Sequence, residues 1–332
     1  MTSSKNAIRT IDDFNKWIPV AFDAEKEEVQ WIYAGDKDFM EPFFEDDIRL
    51  IRYESPKTKN TSLHEFNELG TSKPTDTIKP ALFIFHISRC GSTLITQMLA
   101  QSAKNIVYSE PPLTDEILSS DLSHDVKIET LRAAITLMGQ KRKAPHQYLF
   151  IKWDSWHLAY YELIRQAFPG VPAIFLYREP VEVLQSHQRV RGMHMVPGLL
   201  KKDVFQLKGI PAHDLDLYAA NVLSKLYGWM IDHASKNHVF LVNYSELPEK
   251  VFYIIYDLSL QYTFSDLDSM KKRTMTHSKL PQNVSANHMT TTHYEGLEIF
   301  PLNLWEEYKI LEIIRQSKNP PDKGNNFCTN NQ

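Results

Sequence analysis

Short apolar runs alternate with helical patterns through the middle of the chain. Residues 81–87 form a run rich in aromatic and branched side chains, which predicts a buried strand, and apolar residues at helical spacing follow over 92–103. The pattern predicts further strands at 105–109, 148–152, 172–177 and 239–242, with helices at 157–168, 180–189 and 214–236. Strands that alternate with helices are typical of βαβ crossovers, so the sequence predicts an α/β fold around a central parallel sheet.

The ends of the chain differ in composition from this middle part. Aromatic and acidic clusters before residue 55 predict a small folded N-terminal extension. Residues 55–80 are rich in Ser, Thr, Lys and Pro, which is typical of a surface loop or linker. The sequence therefore predicts an N-terminal extension and linker at 1–79, an α/β domain at 80–318 and a flexible tail at 319–332.

The overall charge narrows the classes of ligand. The 332 residues carry 37 basic and 41 acidic side chains, a formal net charge of −4. Such a balance gives no general affinity for polyanions, so we expect no nucleic-acid partner. An anionic ligand must instead be held by a local site.

The cysteines and the apolar runs indicate in which cellular compartment the protein is expected. Only Cys90 and Cys328 are present, which excludes a disulfide framework and a cysteine-rich zinc module. Residues 1–17 contain no apolar segment typical of a signal peptide, and the run at 81–87 is too short to span a bilayer. We therefore expect a cytoplasmic protein without a membrane span.

The residues that follow the first predicted strand are arranged as an anion-binding loop. A polar turn with Arg89 and Gly91 leads into a helix that opens with Ser92 and Thr93. Unpaired backbone N–H groups and the helix dipole favour an anion at such a helix start. The turn lacks the lysine that a Walker A loop places after its last glycine, which argues against ordinary ATP or GTP hydrolysis. A plain strand-to-helix turn with a serine cap is the alternative.

A second signal lies at the end of the strand predicted at 172–177. Arg178 follows this strand, and Ser186 lies two turns into the next helix. An arginine in this position suits bidentate binding of a phosphate. Taken alone, the turn is equally typical of a surface salt bridge, and it gains weight from its pairing with the loop at Arg89.

Together the two motifs resemble those of sulfotransferases that use 3′-phosphoadenosine 5′-phosphosulfate (PAPS). The segment from Arg89 to Thr93 is similar to the family's 5′-phosphosulfate loop, in the arginine form of protein-tyrosine and bacterial sulfotransferases. Arg178 and Ser186, eight residues apart, match the arginine and serine of its 3′-phosphate motif. The resemblance covers about residues 80–244. It implies a P-loop NTPase-like, three-layer α/β fold with a central parallel sheet, here with the small N-terminal extension.

The resemblance also assigns a role to each donor-site residue. Arg89 neutralises charge on the bridging and sulfuryl oxygens. The loop residues Cys90, Gly91, Ser92 and Thr93 hold the 5′-phosphate, and Arg178 with Ser186 holds the 3′-phosphate. PAPS is the implied co-substrate, and no metal is expected. The field of the loop is further expected to favour a thiolate at Cys90.

The implied catalytic base is Glu110, which ends the strand predicted at 105–109. Relatives with the arginine loop place their catalytic glutamate here, although a structural ion pair is the alternative. Small-molecule sulfotransferases use a histidine on a later strand, so His157 competes with Glu110. Lys152 is either a catalytic cation in the transition state or a partner of Asp154.

The sequence thus predicts transfer of a sulfuryl group from PAPS to a hydroxyl or amine acceptor. The alternatives are a nucleotide-dependent kinase with an atypical P-loop and a catalytically silent nucleotide-binding module. The acceptor stays open among carbohydrate, lipid, peptide and small metabolite, and the oligomeric state is not predicted. The basic segment 189–198 either lines the acceptor entrance or forms a solvated loop.

Overall fold

The N-terminal part of the chain forms an antiparallel sheet with two helices. A computed structural model describes residues 10–72, 76–211, 213–236, 238–275 and 302–318. Strands β1 (Trp17–Asp23), β2 (Glu28–Tyr33) and β3 (Thr58–Ser62) pair in that order, with α1 (Phe44–Glu54) between β2 and β3 and α2 (Leu63–Thr71) after β3. The prediction of a surface linker at 55–80 is therefore wrong. Its apolar residues Leu63, Phe66 and Leu69 follow helical spacing and are buried on one face of α2.

The central sheet has five parallel strands. These are β4 (Pro80–His86), β5 (Asn105–Ser109), β6 (Tyr148–Lys152), β7 (Ala173–Tyr177) and β8 (Val239–Asn243). Their order across the sheet is β5-β6-β4-β7-β8, with β4 in the centre. The strands are short and buried on both faces, as is typical of parallel sheets. The predicted α/β fold with a central parallel sheet is confirmed.

Helices cover both faces of this sheet. The chain leaves β4 through α3 (Ser92–Leu99) toward β5, and it returns through α4 (Pro112–Ser119) and α5 (His124–Met138) to β6. Helix α6 (Tyr161–Ala167) leads to β7, and α7 (Pro180–Arg189) and α8 (Leu215–Ala234) lead to β8. Because parallel crossovers are right-handed, the reversal at β5 places α3 on one face and the other crossover helices on the opposite face.

The remaining helices complete these layers. Helices α9 (Glu249–Asp257) and α10 (Phe264–Thr274) follow β8, and α10 packs on α3. Helix α11 (Leu302–Lys318) packs on α8, and α2 packs on α5. Side chains of the N-terminal sheet and of the central sheet belong to one continuous apolar core. No helix of the described ranges is both long and apolar enough to cross a bilayer. The predicted tail at 319–332 lies outside the described residues.

Candidate functional site

A cleft lies beyond the carboxyl ends of the central strands. Its volume is about 770 Å³. This is where open parallel sheets bind ligands, because loops and helix N-termini converge there. Seven of the nine predicted site residues line it: Arg89, Gly91, Ser92, Thr93, Glu110, Arg178 and Ser186.

The loop after β4 has the backbone of an anion cradle. Ser88, Arg89 and Gly91 have φ angles of 71°, 50° and 91°, in the left-handed region that most side chains avoid. Gly91 also approaches its neighbours closely, because a Cβ there would lie 2.8 Å from Cδ2 of Tyr244. Helix α3 begins at Ser92, and helix geometry leaves its first N–H groups without partners inside the helix. The loop therefore presents backbone donors and a positive dipole to the cleft.

Arg178 is held in place from two sides. Its Nε donates a hydrogen bond of 2.7 Å to Oε2 of Glu182, one turn into α7, and its guanidinium lies 4.1 Å from the ring centre of Tyr244. These contacts fix the plane of the guanidinium, and the Glu182 carboxylate helps keep its pKa raised although burial opposes this. The two terminal nitrogens form no hydrogen bond within the described part of the chain. They are thus left for an anion in the cleft.

Arg89 connects the loop to the far end of α7. Its Nη2 donates a 2.7 Å hydrogen bond to the carbonyl oxygen of Val190, the residue that ends the helix. Burial and the nearby charge of Arg189 both lower the pKa of Arg89. An anion in the cleft would relieve this repulsion.

Glu110 is the centre of a buried charged group. Its Oε1 lies 2.9 Å from Nζ of Lys152 and 3.1 Å from Nε2 of His86. His86 Nδ1 accepts the backbone N–H of Ser88, so its proton lies on Nε2 and is donated to Glu110. Burial acts to raise the pKa of Glu110, but the Lys152 ammonium and the His86 hydrogen bond hold it below its usual range. Glu110 is therefore a carboxylate at neutral pH.

The backbone of Glu110 is also unusual. It has a φ angle of 58°, and its N–H bonds the carbonyl of Lys152 at 2.8 Å. A non-glycine residue in this region costs free energy that the surrounding structure must offset. The strand end thus turns the carboxylate into the cleft.

Two predicted residues lie behind the cleft rather than on its wall. The side chain of Cys90 is fully buried, and its thiol donates to the carbonyl of Leu176 at 3.3 Å. Burial raises the pKa of this thiol to about 12, so the expected thiolate is wrong. Lys152 is fully buried as well, and its ion pair is with Glu110, not with Asp154. The Lys152 ammonium therefore affects the cleft by pairing with Glu110 and lowering the pKa of that carboxyl.

The cleft is also lined by residues that the motifs did not reveal. Asp115 of α4 accepts hydrogen bonds at one oxygen, Oδ1, from Nε1 of Trp156 at 2.6 Å and from Nε2 of His157 at 2.9 Å. His157 is fully buried and does not line the cleft, so it orients Asp115 and does not compete with Glu110 as a base. Trp156, 9% exposed, contributes an aromatic wall.

Asp154 and His194 complete this wall. Burial, then the nearby Glu110 and Asp115, raises the pKa of Asp154 well above its usual value. His194 is 5% exposed, and its ring centre lies 5.6 Å from that of Trp156. Its Nε2 has no hydrogen-bond partner among the described residues, and burial lowers its pKa to about 3, so the imidazole is neutral. The middle of segment 189–198 thus reaches the cleft, since Gly192, Met193 and His194 line the cleft.

One acidic cluster has the composition of a metal site. Ligand-type atoms of Asp115, Asp154 and His157 lie within 4.8 Å of one another. However, His157 Nδ1 accepts the backbone N–H of Asp154 at 3.3 Å, which leaves the proton on Nε2, the nitrogen that faces Asp115. A protonated nitrogen does not ligate a metal, so the geometry favours a hydrogen-bonded cluster.

Sequence reasoning missed His86, Tyr244, Asp115, Asp154 and His194 as parts of this site. His86 and Tyr244 directly follow or end central strands, so the rule on the carboxyl ends of parallel strands was a usable signal for both. The other three come from α4 and from two loops that have no common spacing in the sequence.

Comparison with known proteins gives a likeness in fold. No protein-family model matches the chain, and no curated protein is a significant match. A sulfotransferase domain from the olefin synthase of Synechococcus PCC 7002 is 14% identical, with a TM-score of 0.42 over 73% of this chain and 96% of that one. A Mycobacterium tuberculosis H37Rv sulfotransferase is 11% identical, with a TM-score of 0.40 over 63% and 76%.

A third similar structure is a mouse sulfotransferase complexed with PAP. It is 13% identical, with a TM-score of 0.38 over 74% of this chain and 86% of that one. All three are sulfotransferases, the family that the two sequence motifs resemble. Because the identities and TM-scores are low, the assignment of function rests on the cleft itself.

Proposed function

We propose that this protein transfers a sulfuryl group from PAPS to a hydroxyl or amine acceptor. The observation that carries the proposal is the meeting of two separate anion sites in one cleft. The loop at Arg89–Thr93 and the pair Arg178 and Ser186 are far apart in sequence, yet both line the same cleft. Two such sites suit a nucleotide with phosphates at both its 5′ and 3′ positions.

The residues present fit the donor. Backbone N–H groups around Gly91 and the start of α3 would hold the 5′-phosphate, and Arg89 would balance charge on the sulfuryl oxygens. The free terminal nitrogens of Arg178, with the Ser186 hydroxyl, would hold the 3′-phosphate. PAPS supplies the activated sulfuryl group when it is bound. The side chains contribute position and charge, which are also the main needs of phosphoryl transfer.

Glu110 is the proposed proton acceptor. As the acceptor oxygen or nitrogen forms its bond to sulfur, the bond from sulfur to the bridging oxygen breaks and its electron pair stays on the 5′-phosphate. The acceptor proton passes to the Glu110 carboxylate. Lys152 and His86 keep that carboxylate ionised and oriented before transfer, because both contact its Oε1.

A kinase is the competing assignment, and the loop argues against it. Kinases of the P-loop class need a lysine on the β- and γ-phosphates and a hydroxyl on magnesium. The loop here has Arg89 before its glycine and no lysine after it. The expected absence of a metal is part of the same proposal.

Calorimetric titration distinguishes these assignments. We expect adenosine 3′,5′-bisphosphate to bind without magnesium and more tightly than ATP with magnesium. Arg178→Ala should weaken the bisphosphate, whereas Arg49→Ala, which removes an exposed arginine of α1, should not. A clear preference for ATP with magnesium would overturn the proposal in favour of a kinase.

Turnover separates an enzyme from a silent binding module. A module keeps nucleotide affinity but transfers no sulfuryl group to any acceptor. The ionised Glu110 beside Lys152 lines the cleft as a group able to accept a proton, which supports catalysis.

A further inference from the structure

The acceptor side of the cleft is acidic. Glu45 of α1, Asp115 of α4 and Asp154 line it, together with Glu110, Glu116 and Lys201. Glu110 is neutralised by Lys152, and Glu116 accepts the backbone N–H of Phe22 and lies 3.8 Å from Lys201. Among the described residues, Glu45, Asp115 and Asp154 form no ion pair with a lysine or arginine, although Lys201 acts on Asp115 and Lys152 on Asp154 from a longer distance. Glu45 and Asp115 give the acceptor side negative charge, whereas burial raises the pKa of Asp154 and keeps a proton on that carboxyl.

The hydrogen bonds within this group leave acceptor atoms available. Both bonds to Asp115 reach Oδ1, so Oδ2 is left for a ligand. Glu45 is exposed at the first turn of α1. His194, whose ring contacts Trp156, also lines the cleft and keeps a buried Nε2 without a hydrogen-bond partner among the described residues. An unpartnered buried polar atom at a cleft indicates a missing polar ligand.

The wall next to these polar groups is apolar. Trp156 and Phe43 line the cleft, and the Trp156 ring lies against His194. An aromatic face beside carboxylates suits a ligand with an apolar body and a cationic end, since ring faces attract cations as well as apolar groups. An anionic acceptor would meet the like charges of Glu45 and Asp115.

We propose that the acceptor is a cationic amino alcohol or a phenol with an alkylammonium side chain. Its ammonium group lies among Glu45, Asp115 and Asp154, its apolar body lies against Trp156, and its hydroxyl faces Glu110. This inference deepens the proposed function and rests on it, because the position of Glu110 defines which group is sulfated. The chemistry is the transfer already described, with the hydroxyl as the nucleophile.

A series of probes of equal shape tests the charge preference. Tyramine, para-hydroxyphenylacetamide and para-hydroxyphenylacetate place a cation, a neutral amide and an anion beside the same phenol. We expect tyramine to bind at least about tenfold more tightly than the amide, and the anion to bind most weakly. The titrations are run with and without adenosine 3′,5′-bisphosphate, so that binding of the probe and binding of the nucleotide are measured separately.

Variants locate the charge that is responsible. Asp115→Asn keeps an oxygen for Trp156 and His157 but removes the charge, and Glu45→Gln does the same on α1. Each should reduce the preference for tyramine. Asp46→Asn is the matched control, because Asp46 is the neighbour of Glu45, pairs with Arg49 and does not line the cleft. It should leave the preference unchanged.

Proton release gives a readout independent of affinity. The titratable groups around Asp154 are Glu110, Asp115, Lys152, Glu45 and His157, and burial, followed by the Glu110 and Asp115 charges, raises the pKa of the carboxyl so that it holds its proton. A bound ammonium should displace that proton, so the heat of binding should depend on the ionisation enthalpy of the buffer. Asp154→Asn should abolish this dependence.

The outcomes separate the two proposals. Equal or weaker binding of tyramine than of the amide, or no binding by any probe, overturns the cationic acceptor. Failure of the bisphosphate to bind overturns the proposed sulfotransferase. A preference for tyramine that survives in both charge variants also contradicts the site proposed here.

Discussion

The two sides of the cleft differ in charge and in how the chain builds them. The donor side is basic, with Arg89 and Arg178, and its anion-binding groups come from two short segments. The acceptor side is acidic and aromatic, and its residues come from α1, α4 and the loops after β6 and α7. In the proposed assignment, the anionic donor and the cationic acceptor each lie on the side of opposite charge, and Glu110, neutralised by Lys152, lies at the boundary between them.

The largest effect is expected at that boundary. Glu110→Gln should lower kcat by about 10²- to 10⁴-fold, because the amide cannot take the acceptor proton. Affinity for adenosine 3′,5′-bisphosphate should change little, since the nucleotide is held by the donor side. Steady-state kinetics and calorimetry on the same preparation measure both.

A control is needed because Glu110→Gln leaves the Lys152 ammonium buried without its partner, which costs about 3–5 kcal/mol in typical proteins. The double variant Glu110→Gln/Lys152→Met removes both charges and should recover stability but not turnover. Turnover near that of the wild type in either variant contradicts the role of Glu110.

The next effect concerns the donor side alone. Gly91→Ala forces a side chain into φ 91° and places Cβ 2.8 Å from Tyr244, which stacks on Arg178. We expect about 1–3 kcal/mol of lost stability and at least about tenfold weaker bisphosphate binding. Denaturant unfolding and calorimetry provide the two values.

Gly209→Ala is the matched control for this effect. Gly209 has φ 76°, but an added Cβ there would have nothing within 4 Å. Gly209→Ala therefore measures the free-energy cost of the backbone conformation without a steric clash. It should lose stability but no nucleotide affinity. If both variants weaken the bisphosphate equally, the cradle at Gly91 is not the donor site.

The smallest effect is expected on the acceptor side, where a substitution should increase the stability at neutral pH, whereas the preceding substitutions decrease it. The folded protein holds the Asp154 proton more tightly than the unfolded chain, whose carboxyl pKa is near 3.8. The stability due to this carboxyl is present below that value and declines as pH rises toward the folded pKa. Asp154→Asn removes the titrating group and therefore does not show this decline. Relative to the wild type, the variant should be more stable at neutral pH than at acid pH.

Urea unfolding of both proteins across this pH range measures the difference. The asparagine retains an oxygen for capping the short helix that begins at Ser155, so the cap is not the variable. A difference in unfolding free energy that does not change with pH would contradict a protonated Asp154.

The two sides also differ in how well the sequence predicts them. The residues of the donor side were predicted to lie together because the strand, turn and helix start around Arg89 form one contiguous segment, and Arg178 and Ser186 lie on one strand end and its helix. That they bind an anion stays a prediction. The acceptor side was not predicted, since Glu45, Asp115 and His194 meet only after folding. The ion pair of Lys152 with Glu110 was not predicted for the same reason, because Glu110 follows a neighbouring strand. The catalytic role of Lys152 stays a prediction.

In the N-terminal part, local composition gives a wrong prediction. Residues 55–80 have the composition of a linker, yet β3 pairs with β2 and α2 buries Phe66 against the core. Tertiary pairing overrides composition in such a short segment. The central strands were predicted more closely, because buried parallel strands are continuous apolar runs.

One measurement tests the central claim most directly: a thermodynamic cycle between Arg178 and the nucleotide 3′-phosphate. Adenosine 3′,5′-bisphosphate and adenosine 5′-monophosphate are titrated into the wild type and into Arg178→Ala. The account predicts that loss of the 3′-phosphate weakens binding about tenfold or more in the wild type and little in the variant. An equal loss in both proteins would show that Arg178 does not hold the 3′-phosphate, and it would contradict the proposed donor site.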